Sequence, residues 1–322
     1  MDPLPDYADL LLRSDAPPGS TWGLFGPGES GDVGTLGLLD RLSSLRGIEA
    51  VRTGDTFSLN YPMDAFAPPL LPSRPAPLLE ITSRHAEHRE DLLHRFNPQS
   101  SSQIDGLRHR KHQTYGFYNF VGDDEIAATT TRLGIQGWAA SAIVGRAVVV
   151  DLSHPELEPI DHLTATPLEI DHIEKALAHQ QVSVEDGDIL LVHTGWCEWY
   201  LKVADDESRE KVRRERRFTG FAQRRSFIEW LWDHRIPLIG TDTFAVECFP
   251  SVPDSDFSSE NDGGLMHQEL LALMGYALGE LWHLDGVASA CRRENRWTCL
   301  LVSAPLNVPG GASTTANAVA II

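Results

Sequence analysis

The stretch AIVGRAVVVDL, residues 142–152, reads as a buried strand: a β-branched apolar run that ends on Asp151. A run without polar alternation has no solvent face, so it belongs inside a sheet covered on both sides. GDILLVH at 187–193 and PLIGTD at 237–242 repeat the pattern, and CLLVSAP at 299–305 adds a late strand. Helical patterns lie between them. One spans 167–180 (PLEIDHIEKALAHQ), with Thr166 as N-cap and Pro167 at the first helical position; an amphipathic one spans 218–234. Short apolar strands separated by helices or long loops predict an α/β protein with a largely buried mixed sheet.

Outward from these strands the signals weaken. Residues 1–33 read as an irregular arm, and GPGESG at 26–31 as a turn. That stretch matches G-x-G-x-x-G, but no buried strand precedes it and Glu29 and Asp32 would repel phosphate. Residues 34–46 carry a short helical pattern. The proline-rich stretch 65–83 predicts an extended arm without regular structure, lying on a surface or a partner subunit. Residues 266–279 begin as a helix and break. NVPGG at 307–311 is a turn before a tail of small residues. No repeat or composition break divides the chain, so one domain over 1–322 is expected.

Composition narrows the function classes. A formal charge of −19 argues against nucleic-acid binding, which needs a basic surface. The one basic run, KVRRERR at 211–217, sits among acidic residues and reads as a solvated helix face. There is no signal-peptide pattern and no apolar run long enough to span a membrane. Cys197, Cys248, Cys291 and Cys299 lack C-x-x-C spacing and read as reduced, buried residues of a cytoplasmic protein. Cys248 alone is a candidate neighbour of a site.

The candidate site lies in NPQSSSQIDGLRHRKH, residues 97–112. Alternate side chains of an extended segment share a face, so Gln103, Asp105 and His109 can converge on one point. Such convergence suits a metal site or an acid/base site.

SSQIDGLRH, GFYNF, IVGRAVVVDL, GDILLVHTGW, LIGTDTFAVE and LLVSAPLNVPGG, in this order, resemble the cyclase family, also called the kynurenine formamidase-like or metal-dependent hydrolase family. The resemblance runs from about Ser20 to the C-terminus. It implies a swivelling β/β/α fold, a homodimer or higher oligomer, and zinc- or manganese-dependent hydrolysis of amides or ring-forming chemistry in natural-product pathways. The family signature H-x-G-T-H-x-D-x-P-x-H places its histidines on Gln99, Gln103 and His109 and its aspartate on Asp105. His267 and Glu280 fit the later His and Glu of the same set. A branch of the family shows Q-x-D-G-L-R-H, usually with Trp after the Gln, where this chain has Ile104; Gln136 and Gly137 are a second departure.

Amide oxygens bind zinc weakly compared with imidazole, so two glutamines in place of two histidines predict a weakened or absent metal site. Three readings follow. The first is ring formation or rearrangement on a carbonyl-rich, polyketide-like molecule, with Asp105, His109, His267 and Glu280 as acid/base groups. In it Gln99, Gln103, Arg108, His112 and Tyr118 bind the substrate, and a carboxylate beside each imidazole raises its pKa. The second is a zinc or manganese hydrolase of an amide, lactam or lactone, the same four residues holding one metal weakly. The third is a non-catalytic small-molecule binder. Trp138, Trp196, Trp199, Phe244 and Phe249 are candidate walls of an apolar pocket.

Overall fold

A computed structural model describes residues 4–260 and 262–322. Nine strands form one mixed sheet in the order Thr56–Ser58, Ala318–Ile321, Thr298–Ser303, Ile143–Asp151, Ile189–His193, Leu238–Thr241, Ala277–Glu280, Gln103–Asp105 and Ser313–Thr315. The four strands from Ile143–Asp151 to Ala277–Glu280 run parallel; every other pairing is antiparallel. Alternation sends Ala147, Val149, Ile189 and Leu191 to one face, and Val148, Val150, Leu190 and Val192 to the other. The second face is covered by helices Ile170–Gln180 and Arg225–Asp233. The first face is covered in part by helix Asp285–Glu294. This is why the central strands read as continuous apolar runs.

Several boundaries differ from the sequence reading. The helix expected from Pro167 begins at Ile170, with Glu169 as N-cap, because Pro167–Leu168 instead pairs with Gly220–Phe221. That same pairing keeps the next helix from starting before Arg225. The 34–46 pattern divides into a 3-10 turn, Gly34–Leu38, and a helix, Arg41–Ala50, capped by Asp40. The proline-rich arm is not wholly irregular. After Pro77 the proline-free run LLEIT forms strand Leu78–Thr82, paired antiparallel with Glu90–His94. The small-residue tail supplies strands Ser313–Thr315 and Ala318–Ile321. No helix among the described residues is long and apolar enough to cross a membrane.

One close approach positions the site strand. Gly279 and Gly240 are register partners, and the Trp282 ring lies against both. A Cβ at Gly279 would sit 2.7 Å from Trp282 Cε2. The ring's Nε1 donates to the Gln103 carbonyl at 2.8 Å, which fixes the strand carrying Gln103 and Asp105.

Candidate active site

Gln103 and Asp105 are one face of a three-residue strand whose neighbour carries Glu280, directly opposite Gln103. Gln103 Nε2 donates to Glu280 Oε2 at 2.5 Å. Asp105 Oδ1 accepts from Gln99 Nε2 at 2.6 Å, and Asp105 Oδ2 lies 3.3 Å from His109 Nε2. His267 Nε2 meets Glu280 Oε1 at 3.1 Å, and its Nδ1 bonds Glu247. The structure therefore brings together Gln99, Gln103, Asp105, His109, His267 and Glu280, although 177 residues separate Gln103 from Glu280.

Arg108, His112 and Tyr118 are elsewhere, which corrects their expected role. Arg108 donates to the carbonyls of Thr130, Gly310 and Ala127 and ties two loop segments, 127–130 and the one at Gly310, to its own. His112 pairs with Glu269 and caps its own turn. Tyr118 is fully buried against Thr21. Of the expected aromatic walls, Phe244 and Phe249 line the cavity, of about 130 Å³, that opens onto His109, His267 and Glu280. Trp138 and Trp196 are core, and Trp199 borders a different cavity.

Glu247 was missed. In VECFP the sequence reading singled out Cys248, yet that thiol is buried beside Gln223 and burial pushes its pKa up to about 12. Its neighbour Glu247 accepts the backbone N–H groups of Met266 and His267 at 2.7 and 2.9 Å, and Gln223 Nε2 at 2.8 Å. The available signal was an acidic residue inside an apolar run, which is rarely buried unless engaged.

The electrostatics separate the two histidines. Burial alone would lower His267, but the Glu247 and Glu280 carboxylates on either side outweigh it and push its pKa up to about 10. His109 moves the other way. Burial holds it below its ordinary value; Asp105 opposes this, and the charges of His267 and Arg74 add to it. The expectation that a carboxylate raises both imidazoles therefore fails at His109, where desolvation is larger. Glu280 is raised by burial and then by Asp105, against the pull of His267. Two groups of one kind with pKa values pushed apart provide an acid and a base near neutral pH.

The donor set also fits a divalent cation. Asp105, His267 and Glu280 offer ligand atoms within 4.8 Å of one another. Gln103 Oε1 and Asp105 Oδ2 are buried acceptors without a hydrogen-bond partner among the described residues. Orphaned buried acceptors beside carboxylates are costly unless a cation or water engages them. Carboxylate and amide oxygens with a single imidazole suit manganese better than zinc.

A second buried network occupies the carboxyl ends of three parallel strands. Asp151, His193 and Asp242 meet Asp285 there. His193 Nδ1 contacts Asp151 at 3.0 Å and its Nε2 contacts Asp285 at 3.2 Å. Arg292 grips Asp151 at 2.5 and 2.7 Å, and Asp242 accepts from Thr194 and from the Gly195 N–H. Asp285 also accepts from the Tyr61 hydroxyl at 3.2 Å, and His193, Asp242 and Asp285 offer ligand atoms within 4.8 Å of one another.

Comparison with known proteins places this architecture. A crystal structure of a novel cyclase superimposes with a TM-score of 0.80 at 24% identity, covering 94% of this chain and 99% of that one. An isatin hydrolase bound to the product analogue thioisatinate gives 0.55 at 14% identity, covering 88% and 99%. Isatin hydrolase A from Labrenzia aggregata, bound to benzyl benzoate, gives 0.55 at 15%, covering 87% and 96%. These likenesses show the fold. No curated protein matches the sequence. The Cyclase family model matches residues 57–248, a span that holds Gln99, Gln103, Asp105, His109 and Glu247. The chain belongs to the Cyclase family.

Proposed function

We propose that this protein is a metal-assisted hydrolase of a small carbonyl compound, opening an amide, lactam or lactone. The carrying observation is the ligand set Asp105, His267 and Glu280, with the unpartnered Gln103 Oε1 beside it and Asp105 Oδ2 met only by the His109 imidazole at 3.3 Å. Asp105, Glu280, His267 and Gln103 would hold the cation, which when bound polarises a carbonyl and makes water more acidic. His109, held neutral, takes a proton from the attacking water as it adds to the carbonyl carbon. It returns that proton to the leaving nitrogen or oxygen as the C–N or C–O bond breaks. Glu247, bonded to His267 Nδ1, turns Nε2 of that ring towards Glu280, the side on which a cation would displace its proton, and Gln99 orients Asp105. Hydrolases that share this fold add support.

Elemental mass spectrometry of protein purified without chelator tests this. The expected result is about one equivalent of a divalent metal, with hydrolysis of lactams, lactones or formamides lost on chelation. Metal-free protein with unimpaired activity would sink it. A second reading, ring formation or rearrangement on a polyketide-like molecule, draws support from the split histidine pair and the two glutamines. It predicts an isomeric product of unchanged mass from metal-free protein.

We also propose a second copy of this chain as partner. The hairpin Leu78–Thr82/Glu90–His94 leaves Leu78, Leu79, Ile81, Leu92 and Leu93 exposed. An isolated two-stranded ribbon is marginal in water, and these side chains need cover. Light scattering is expected to give twice the chain mass or more, and a monomer would count against the proposal.

A further inference from the structure

One cation on the cavity wall takes no part in the proton transfers above. Arg74 lies in the loop before the hairpin and lines the same cavity as His109, His267 and Glu280. It is half-buried, its guanidinium carbon 5.6 Å from the centroid of the Phe244 ring. Among the described residues, no carboxylate lies within ion-pair distance of it and no acceptor takes its side-chain hydrogens. Arg110, the other cation of this wall, is held by both oxygens of Asp262. Arg74 therefore presents free donors to the cavity.

A guanidinium is a rigid planar fork matched to a carboxylate. Holding one half-desolvated without a counter-charge is unfavourable until an anion arrives. The remaining wall is Glu247, whose carboxylate is already engaged by Gln223, His267 and the Met266 N–H, together with the apolar Leu71, Phe244, Phe249 and Leu265, which suit the face of a ring.

We propose that Arg74 is the anion anchor of this cavity, and that its ligands are compact ring compounds bearing a carboxylate. The carboxylate sits on Arg74 and the ring lies against Phe244 and Phe249, with the remainder of the molecule directed at His109. This rests on reading the cavity as the active site; it requires neither hydrolysis nor a bound metal.

Fluorine NMR with 4-fluorobenzoate and 4-fluorobenzamide tests it at equilibrium. Wild type, Arg74→Gln and Arg74→Lys are each compared as purified and after chelation. Wild type is expected to bind the acid about 10-fold or more tighter than the amide in both states. Arg74→Gln erases that preference while leaving amide binding unchanged, and Arg74→Lys retains part of it, having charge without the fork. A preference that survives Arg74→Gln overturns the proposal. So does one that disappears on chelation, since the metal would then be the anchor, and so does failure of the acid to bind. Absence of metal or of hydrolysis would defeat the proposed reaction yet leave this result standing.

Discussion

Asp105→Asn is expected to reduce turnover by about 10²–10⁴-fold while the protein melts no lower than wild type. The substitution keeps the shape of the side chain and its acceptor for Gln99, so the 2.6 Å contact survives. It removes the negative charge facing His109 and the charge that pushes Glu280 up. Like charges buried together oppose folding, so their relief stabilises the protein even as it disables the site. Loss of a charged ligand should also lower metal content, by more than the ~10–100-fold affinity cost typical of an outer partner. Steady-state kinetics, a thermal melt and elemental analysis on one preparation decide the matter. A variant with lower melting temperature and intact turnover would show Asp105 to be structural.

His193→Ala is expected to cost about 3–5 kcal/mol of stability, because it leaves Asp151, Asp242 and Asp285 without their shared cation. Burial alone would lower the His193 pKa, but the hydrogen bonds to Asp151 and Asp285 outweigh it and push the value up to about 10. The folded value lies above the ordinary 6.5, so the folded state binds the proton more tightly than the unfolded chain. Its contribution is complete below about pH 6.5 and is lost as pH rises through about 10. Denaturant unfolding of wild type and variant across this window should show their difference shrinking towards pH 10. A difference that is independent of pH, or under about 1 kcal/mol, would mean the cluster is held by Arg292 alone.

The two variants act at opposite ends of what the sequence made legible. Strands 143–151, 189–193 and 238–241 were readable because covering helices leave them no polar face. Asp105, His109, His267 and Glu280 were readable through ordered motifs. Strands Ser313–Thr315 and Ala318–Ile321 were not, since runs this short show no period and their order comes from partners far along the chain. Arg108 misled because motif position placed it near the site, whereas only three distant carbonyls explain its conformation. Glu247 was hidden for a related reason. Its role depends on Gln223, Met266 and His267, none of them adjacent to it in sequence. Arg74 stands in a proline-rich segment whose path no local rule determines.

Strand Gln103–Asp105 has both of its partners in the last quarter of the chain, Ala277–Glu280 on one side and Ser313–Thr315 on the other. Closing such spans is slow relative to local helix formation. A growing chain therefore gains Ile170–Gln180 and Arg225–Asp233 well before it can enclose Asp105. Until then its cluster of acidic groups remains hydrated and chemically mute. The site arrives with the final strands, so that an incomplete copy carries no half-built centre.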